Sequence, residues 1–189
     1  MLRTLLVAGL GAAALFTAAP EARASLTVIG GGMAEACSRA VRAGQADQDL
    51  LNVCTYALEQ EALRRRDRAG TLVNRGIVQM RMKLLGRALS DFERAESLNP
   101  NIGETFVNRG AALIMLDRYP EALAEIDRGM AIGIEEPAKA YFNRAIAKEG
   151  LEDLKGAYLD FRKAAELDPE WELPRNQLAR FTVTTVSQR

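Results

Sequence analysis

The sequence predicts an all-α protein, an α-solenoid of stacked antiparallel helix pairs. Three observations carry this. Asn74-Arg75-Gly76 recurs as Asn108-Arg109-Gly110 and as Asn143-Arg144-Ala145, at steps of 34 and 35 residues. Each block is followed at constant distance by a second: Ala88-Leu89-Ser90-Asp91-Phe92, Ala122-Leu123-Ala124-Glu125-Ile126 and Ala157-Tyr158-Leu159-Asp160-Phe161. Small residues (Ala95, Gly129, Ala164) then close each unit at the same spacing. Self-similarity at such a period marks an array in which no unit can bury its apolar face alone, so neighbours must stack.

The N-terminus has Arg3 ahead of an apolar run from Leu5 to Ala19, ended by Pro20 and Glu21 and followed by Ala22-Arg23-Ala24. This layout reads as a secretory signal over 1–24, cut after Ala24. The run of about 15 apolar residues falls short of the roughly 20 that a spanning helix needs. The mature chain is therefore expected to be periplasmic or secreted, with no stable membrane insertion. Gly30-Gly31-Gly32 is a flexible lead-in.

Residues 25–68 read as a degenerate N-terminal helix hairpin. Met33, Cys37, Ala40 and Val41 share one helical face, and Gly44 breaks that helix. Asp47 is placed to cap a second helix, whose face carries Leu50, Leu51, Cys54, Ala57 and Leu58. Cys37 and Cys54 are the only cysteines, so an oxidising compartment would allow one disulfide between them. Two buried thiols acting as small hydrophobes are the alternative. Three arginines, Arg64 to Arg66, read as a solvated helix end and linker.

Three units follow, at 69–102, 103–136 and 138–171. Their first helices are expected near 69–83, 103–117 and 138–150, and their second near 86–98, 120–132 and 153–167. Pro120 fits a first helical turn, where a missing N–H costs nothing. Gly86 and Gly150 are expected in the turns within each pair, supplying the left-handed conformation. Residues 172–189 supply a capping helix with Leu173, Leu178 and Phe181 at helical spacing, then a frayed tail from 182.

The 34-residue step with two helices per unit resembles the tetratricopeptide repeat family. That family's pattern has a large apolar residue at position 4, a small one at 8, Ala at 20, an aromatic at 24, Ala at 27 and Pro at 32. In the first unit these are Leu72, Gly76, Ala88, Phe92, Ala95 and Pro100. The second has Phe106, Gly110, Ala122, Ile126, Gly129 and Ile134, and the third Ala140, Ala145, Ala157, Phe161, Ala164 and Pro169. The middle unit lacks the terminal proline, and Pro137 stands just beyond it.

Composition narrows the function. The formal net charge is +0, and about −1 once residues 1–24 are removed, so no basic field exists to hold nucleic acid. Histidine is absent, which excludes Ser-His and Cys-His catalysis. Two cysteines without histidine are too few for a structural zinc site. No phosphate loop or unique polar cluster is present, so no enzyme and no cofactor is expected. Arg75, Arg109 and Arg144 face Asp91, Glu125 and Asp160 across each pair, which reads as three ion pairs within repeats.

The resemblance implies a binding function, with the first helix of each pair lining a concave groove. Carried onto this sequence, the groove residues are Val73, Asn74, Ile77, Met80, Val107, Asn108, Ala111, Ile114, Phe142, Asn143 and Ile146. The three asparagines form a ladder able to bond an extended peptide backbone; alternatively they bond backbone inside the array. Some family members clamp a carboxylate with groove cations, but Val73, Val107 and Phe142 stand where one is required. The expectation is an exported scaffold or adaptor for a protein or peptide partner. The alternative is a structural, self-associating envelope protein with no peptide ligand.

Overall fold

A glycine or alanine at position 8 lets two helices of a pair close on each other, and the computed structural model shows how tightly. A Cβ added to Gly76 would lie 2.6 Å from the Phe92 ring, and one added to Gly110 would lie 2.5 Å from Ile126. Residues 3–8 and 32–186 are described. The leader 1–24, apart from the backbone of residues 3–8, and the cleavage point after Ala24 lie outside them, as do Gly30 and Gly31.

In chain order the elements are β1 (Arg3–Ala8), α1 (Met33–Arg42), α2 (Gln48–Gln60), α3 (Arg65–Arg81), α4 (Leu85–Leu98) and α5 (Gly103–Ile114). They continue with α6 (Tyr119–Ile132), α7 (Pro137–Gly150), α8 (Leu154–Leu167), α9 (Glu172–Leu178) and β2 (Phe181–Val186). The pairs α1/α2, α3/α4, α5/α6 and α7/α8 pack internally, and each stacks on the next. Contacts of α3 with α5 and of α5 with α7 set the first helices of the units side by side. The body is thus an all-α solenoid.

The local chemistry explains the boundaries. The Asp47 carboxylate accepts from the Leu50 N–H at 2.8 Å, capping α2. The Asp153 carboxylate does the same for Gly156 at 2.9 Å, at the start of α8. Prolines occupy the first turns of α6 and α7. The arginine run is an exposed helix start: Arg64 is the N-cap, bonded to Asp67 at 2.8 Å, and α3 begins at Arg65, earlier than the spacing suggests.

Three expectations are corrected. Within the three repeat pairs the left-handed turn residues are Lys83, Asp117 and Glu152, not glycines. Gly86 lies inside α4, and Gly150 ends α7 beneath the Tyr119 ring, 2.6 Å from where its Cβ would be. The tail beyond α9 does not fray at once: Phe181–Val186 pairs antiparallel with Arg3–Ala8, from Arg3↔Val186 to Ala8↔Phe181. This two-stranded ribbon is appended to the helical body.

Cys37 and Cys54 form a disulfide with their Cα atoms 5.1 Å apart, and both are fully buried. It joins α1 to α2 within the largest apolar cluster, together with Val41, Leu51, Val73, Ile77 and Phe92. At the other end α9 caps the last pair. Trp171 packs on Phe142 with ring centroids 4.8 Å apart, and Phe161 meets Phe142 edge-on at 5.4 Å. Leu173, Leu178 and Phe181 complete that cluster.

Candidate partner-binding face

The first helices of the three units carry the groove residues, and the solenoid brings them to one side. Their accessibility differs from the expectation. All but Ile146 are buried, so they do not form an open trough. The reason is stacking. Val73, Ile77, Met80 and Ala111 join the cluster built on the α1/α2 hairpin. Val107 and Ile114 pack with Ala140 and Ala147 of the next unit. Phe142 lies under Trp171 and Phe161. A helix whose neighbours close over it on two sides contributes to the core first. Partly exposed residues remain at Arg81, Met115, Ile146 and Glu149.

The asparagine ladder divides. The Asn108 side-chain amide donates to the Glu104 carbonyl at 2.9 Å, a backbone bond inside the array. Asn74 is buried in α3. Asn143 is 1% exposed, and its Oδ1 has no hydrogen-bond donor among the described residues. The Thr105 hydroxyl, also buried, is likewise without a partner there. Leaving a buried polar atom unsatisfied costs about 1–3 kcal/mol, so such an atom marks a place where something else belongs or strain is stored.

The ion pairs expected within repeats are present, and each extends further. Arg75 grips Asp91 through Nε at 2.7 Å and Nη2 at 2.8 Å. Arg144 grips Asp160 the same way, at 2.8 Å on both. Arg109 bonds Glu125. The free edge of each guanidinium then reaches the preceding unit: Thr55 Oγ1 at 3.2 Å from Arg75, Glu96 at 2.7 Å from Arg109, Asp127 at 2.9 Å from Arg144. The bonds from Asp160 raise the Arg144 pKa against the opposing effect of burial. This second bond was not legible from the repeat, because its acceptors do not recur at one position.

Among the described residues no group of three or more His, Cys, Asp or Glu is placed to hold a metal ion, and no helix is long and apolar enough to cross a membrane.

Fold and packing define a helical-repeat protein of the α-solenoid class. The repeat is the tetratricopeptide repeat: residues 138–170 match that family's model, and solved tetratricopeptide repeat domains share the fold. The chain is 31% identical over 126 residues to the DnaJ homolog subfamily C member 7 homolog of Dictyostelium discoideum, a match covering 64% of this chain. It spans only 23% of that relative's length. The TPR domain of Arabidopsis OM64 superposes with a TM-score of 0.58 at 26% identity, covering 62% of this chain and 96% of that domain. The first TPR of Spaghetti (RPAP3), bound to an HSP90 peptide, superposes at 0.55 with 22% identity, covering 59% and 88%. That last likeness is of fold.

Proposed function

We propose that this chain is an exported interaction scaffold that holds a protein or peptide partner against the side lined by α3, α5 and α7. The observation that carries the reading is Asn143. Its amide oxygen lacks a donor among the described residues and lies on the helix side that the resemblance assigns to ligands, so a partner seated beside Ile146 would reach it once the covering side chains part to admit a backbone N–H. Ile146, one turn away and partly exposed, supplies an apolar contact beside it. The peptide-bound Spaghetti domain supports the reading by showing that this fold accommodates a peptide. Export rests on the leader layout of residues 1–24.

The reading is tested by a photocrosslinking amino acid placed in the full-length chain in its native cell envelope. At Ile146 it is expected to capture a discrete partner; at Leu159, exposed on α8, it is not. Equal labelling at both positions, or none at Ile146, contradicts the assignment.

A further inference from the structure

A cleft of about 320 Å³ opens between α2 and α4, with α3 as its floor. Leu51 and Thr55 line it from α2, Arg75 and Gln79 from α3, and Arg87, Ser90, Asp91 and Arg94 from α4. It involves the second helices of two units, unlike the face lined by α3, α5 and α7.

The array itself indicates what this cleft lacks. At the two later junctions the free edge of the repeat arginine ends on a carboxylate of the preceding unit, Glu96 or Asp127. At this first junction the corresponding acceptor is the neutral hydroxyl of Thr55, at the longer distance of 3.2 Å. Arg87 makes no ion pair with the described residues, and Arg94 reaches only the shared Asp91, at 3.5 Å. Three guanidinium groups therefore meet one carboxylate. In addition, Gln79 is 6% exposed and its Oε1 has no donor among the described residues.

We infer that this cleft is a docking site for an acidic peptide segment, whose side-chain carboxylate takes the place that Glu96 and Asp127 fill at the later junctions. Charge complementarity selects the carboxylate: Arg75, Arg87 and Arg94 offer charge-assisted bonds to it. Gln79 favours a peptide over an inorganic anion, because its oxygen lies away from the guanidinium groups and a backbone N–H can reach it while the side-chain carboxylate of the same segment engages the arginines. Leu51 gives the peptide an apolar edge to lie against. The site is independent of the α3/α5/α7 face.

The test is fluorescence anisotropy on the full-length chain with a fluorescein-labelled hexaglutamate peptide, hexaglutamine as the uncharged control and inorganic phosphate as competitor. Thr55→Glu supplies the missing carboxylate from within. It is expected to weaken hexaglutamate binding at least ~10-fold, the loss of one or more charge-assisted bonds, while raising the unfolding midpoint. Thr55→Gln, which fills the same space without the charge, separates bulk from charge and is expected to weaken hexaglutamate binding less than Thr55→Glu does. The double variant Arg87→Ala/Arg94→Ala, at exposed positions, is expected to weaken binding to a similar degree with the fold intact by circular dichroism. Asn143→Ala is expected to have no effect. Hexaglutamate affinity unchanged in Thr55→Glu, or hexaglutamine binding equally well, overturns the proposal. Phosphate matching the peptide's affinity, with Gln79→Leu silent, overturns the peptide assignment.

Discussion

Arg109 is where two repeats meet. Its guanidinium is held by Glu125 of its own unit and by Glu96 of the preceding one, and Glu96 also accepts from Arg128 at 2.7 Å. Burial opposes ionisation of Glu96, but the bonds from Arg109 and Arg128 outweigh it and hold its carboxyl below the ordinary 4.5. The unfolded chain therefore takes up a proton here at a higher pH than the folded one does. The stability this pair contributes is complete above pH 4.5 and is lost as pH falls through the folded value. Glu96→Gln is expected to lower stability at pH 7 by ~1 kcal/mol, or ~2–4 °C in midpoint. It should also flatten the decline of the midpoint between pH 5 and pH 3. Thermal melts of both chains across that range check it; parallel curves would contradict the role of Glu96. The pairs within repeats could be read from sequence because they recur. Glu96 and Asp127 lie at different places in their units, so only folding discloses them.

At the scale of the helix pair, the turn is the informative element. Three residues at matching positions, Lys83, Asp117 and Glu152, have φ of 64°, 55° and 62°. The left-handed region costs a side-chain-bearing residue roughly 1–2 kcal/mol, partly offset by the greater unfolded entropy of glycine. Glu152→Gly is expected to stabilise the fold by ~0.5–1 kcal/mol. A urea titration measures it, and a lower midpoint would count against the turn assignment. Reading glycines as turn markers failed here for a physical reason. Gly150 is small because Tyr119 lies over it, and the turn falls two residues later. Periodicity located the helices well, since packing at positions 8, 20 and 24 leaves little freedom. It placed their ends less well, because ends depend on caps and on contacts with the preceding unit.

For the whole molecule, two readings depend on each other. The disulfide between Cys37 and Cys54 forms only in an oxidising compartment, and the leader is what would deliver the chain there. Cleavage after Ala24 would also remove β1, and the ribbon would then belong to the uncleaved chain alone. The chain recovered from its native cells is expected to begin at Ser25 and to weigh two hydrogens less than the dithiol form. Intact-mass analysis before and after reduction reads both. A chain beginning at Met1 with two free thiols would contradict export. Cross-linking the α1/α2 loop is worth ~3 kcal/mol by loop entropy, so reduction should lower the midpoint.

The solenoid was legible from sequence because each unit repeats the same packing problem. The face was less so. Position along a helix shows which side a residue takes, while burial depends on how closely neighbouring pairs stack. Phe142 illustrates this: its helix position points to the groove side, and it is core under Trp171. Asn143, on the same helix, keeps an unsatisfied oxygen, and the binding account centres on it. The role of Asn143 is decided by the affinity of the partner captured at Ile146 for the parent chain and for Asn143→Ala. Binding is expected to weaken ~10-fold by loss of one buried hydrogen bond, with stability unchanged within ~1 kcal/mol. Unchanged affinity together with a large loss of stability would contradict it, making Asn143 a structural residue of the array.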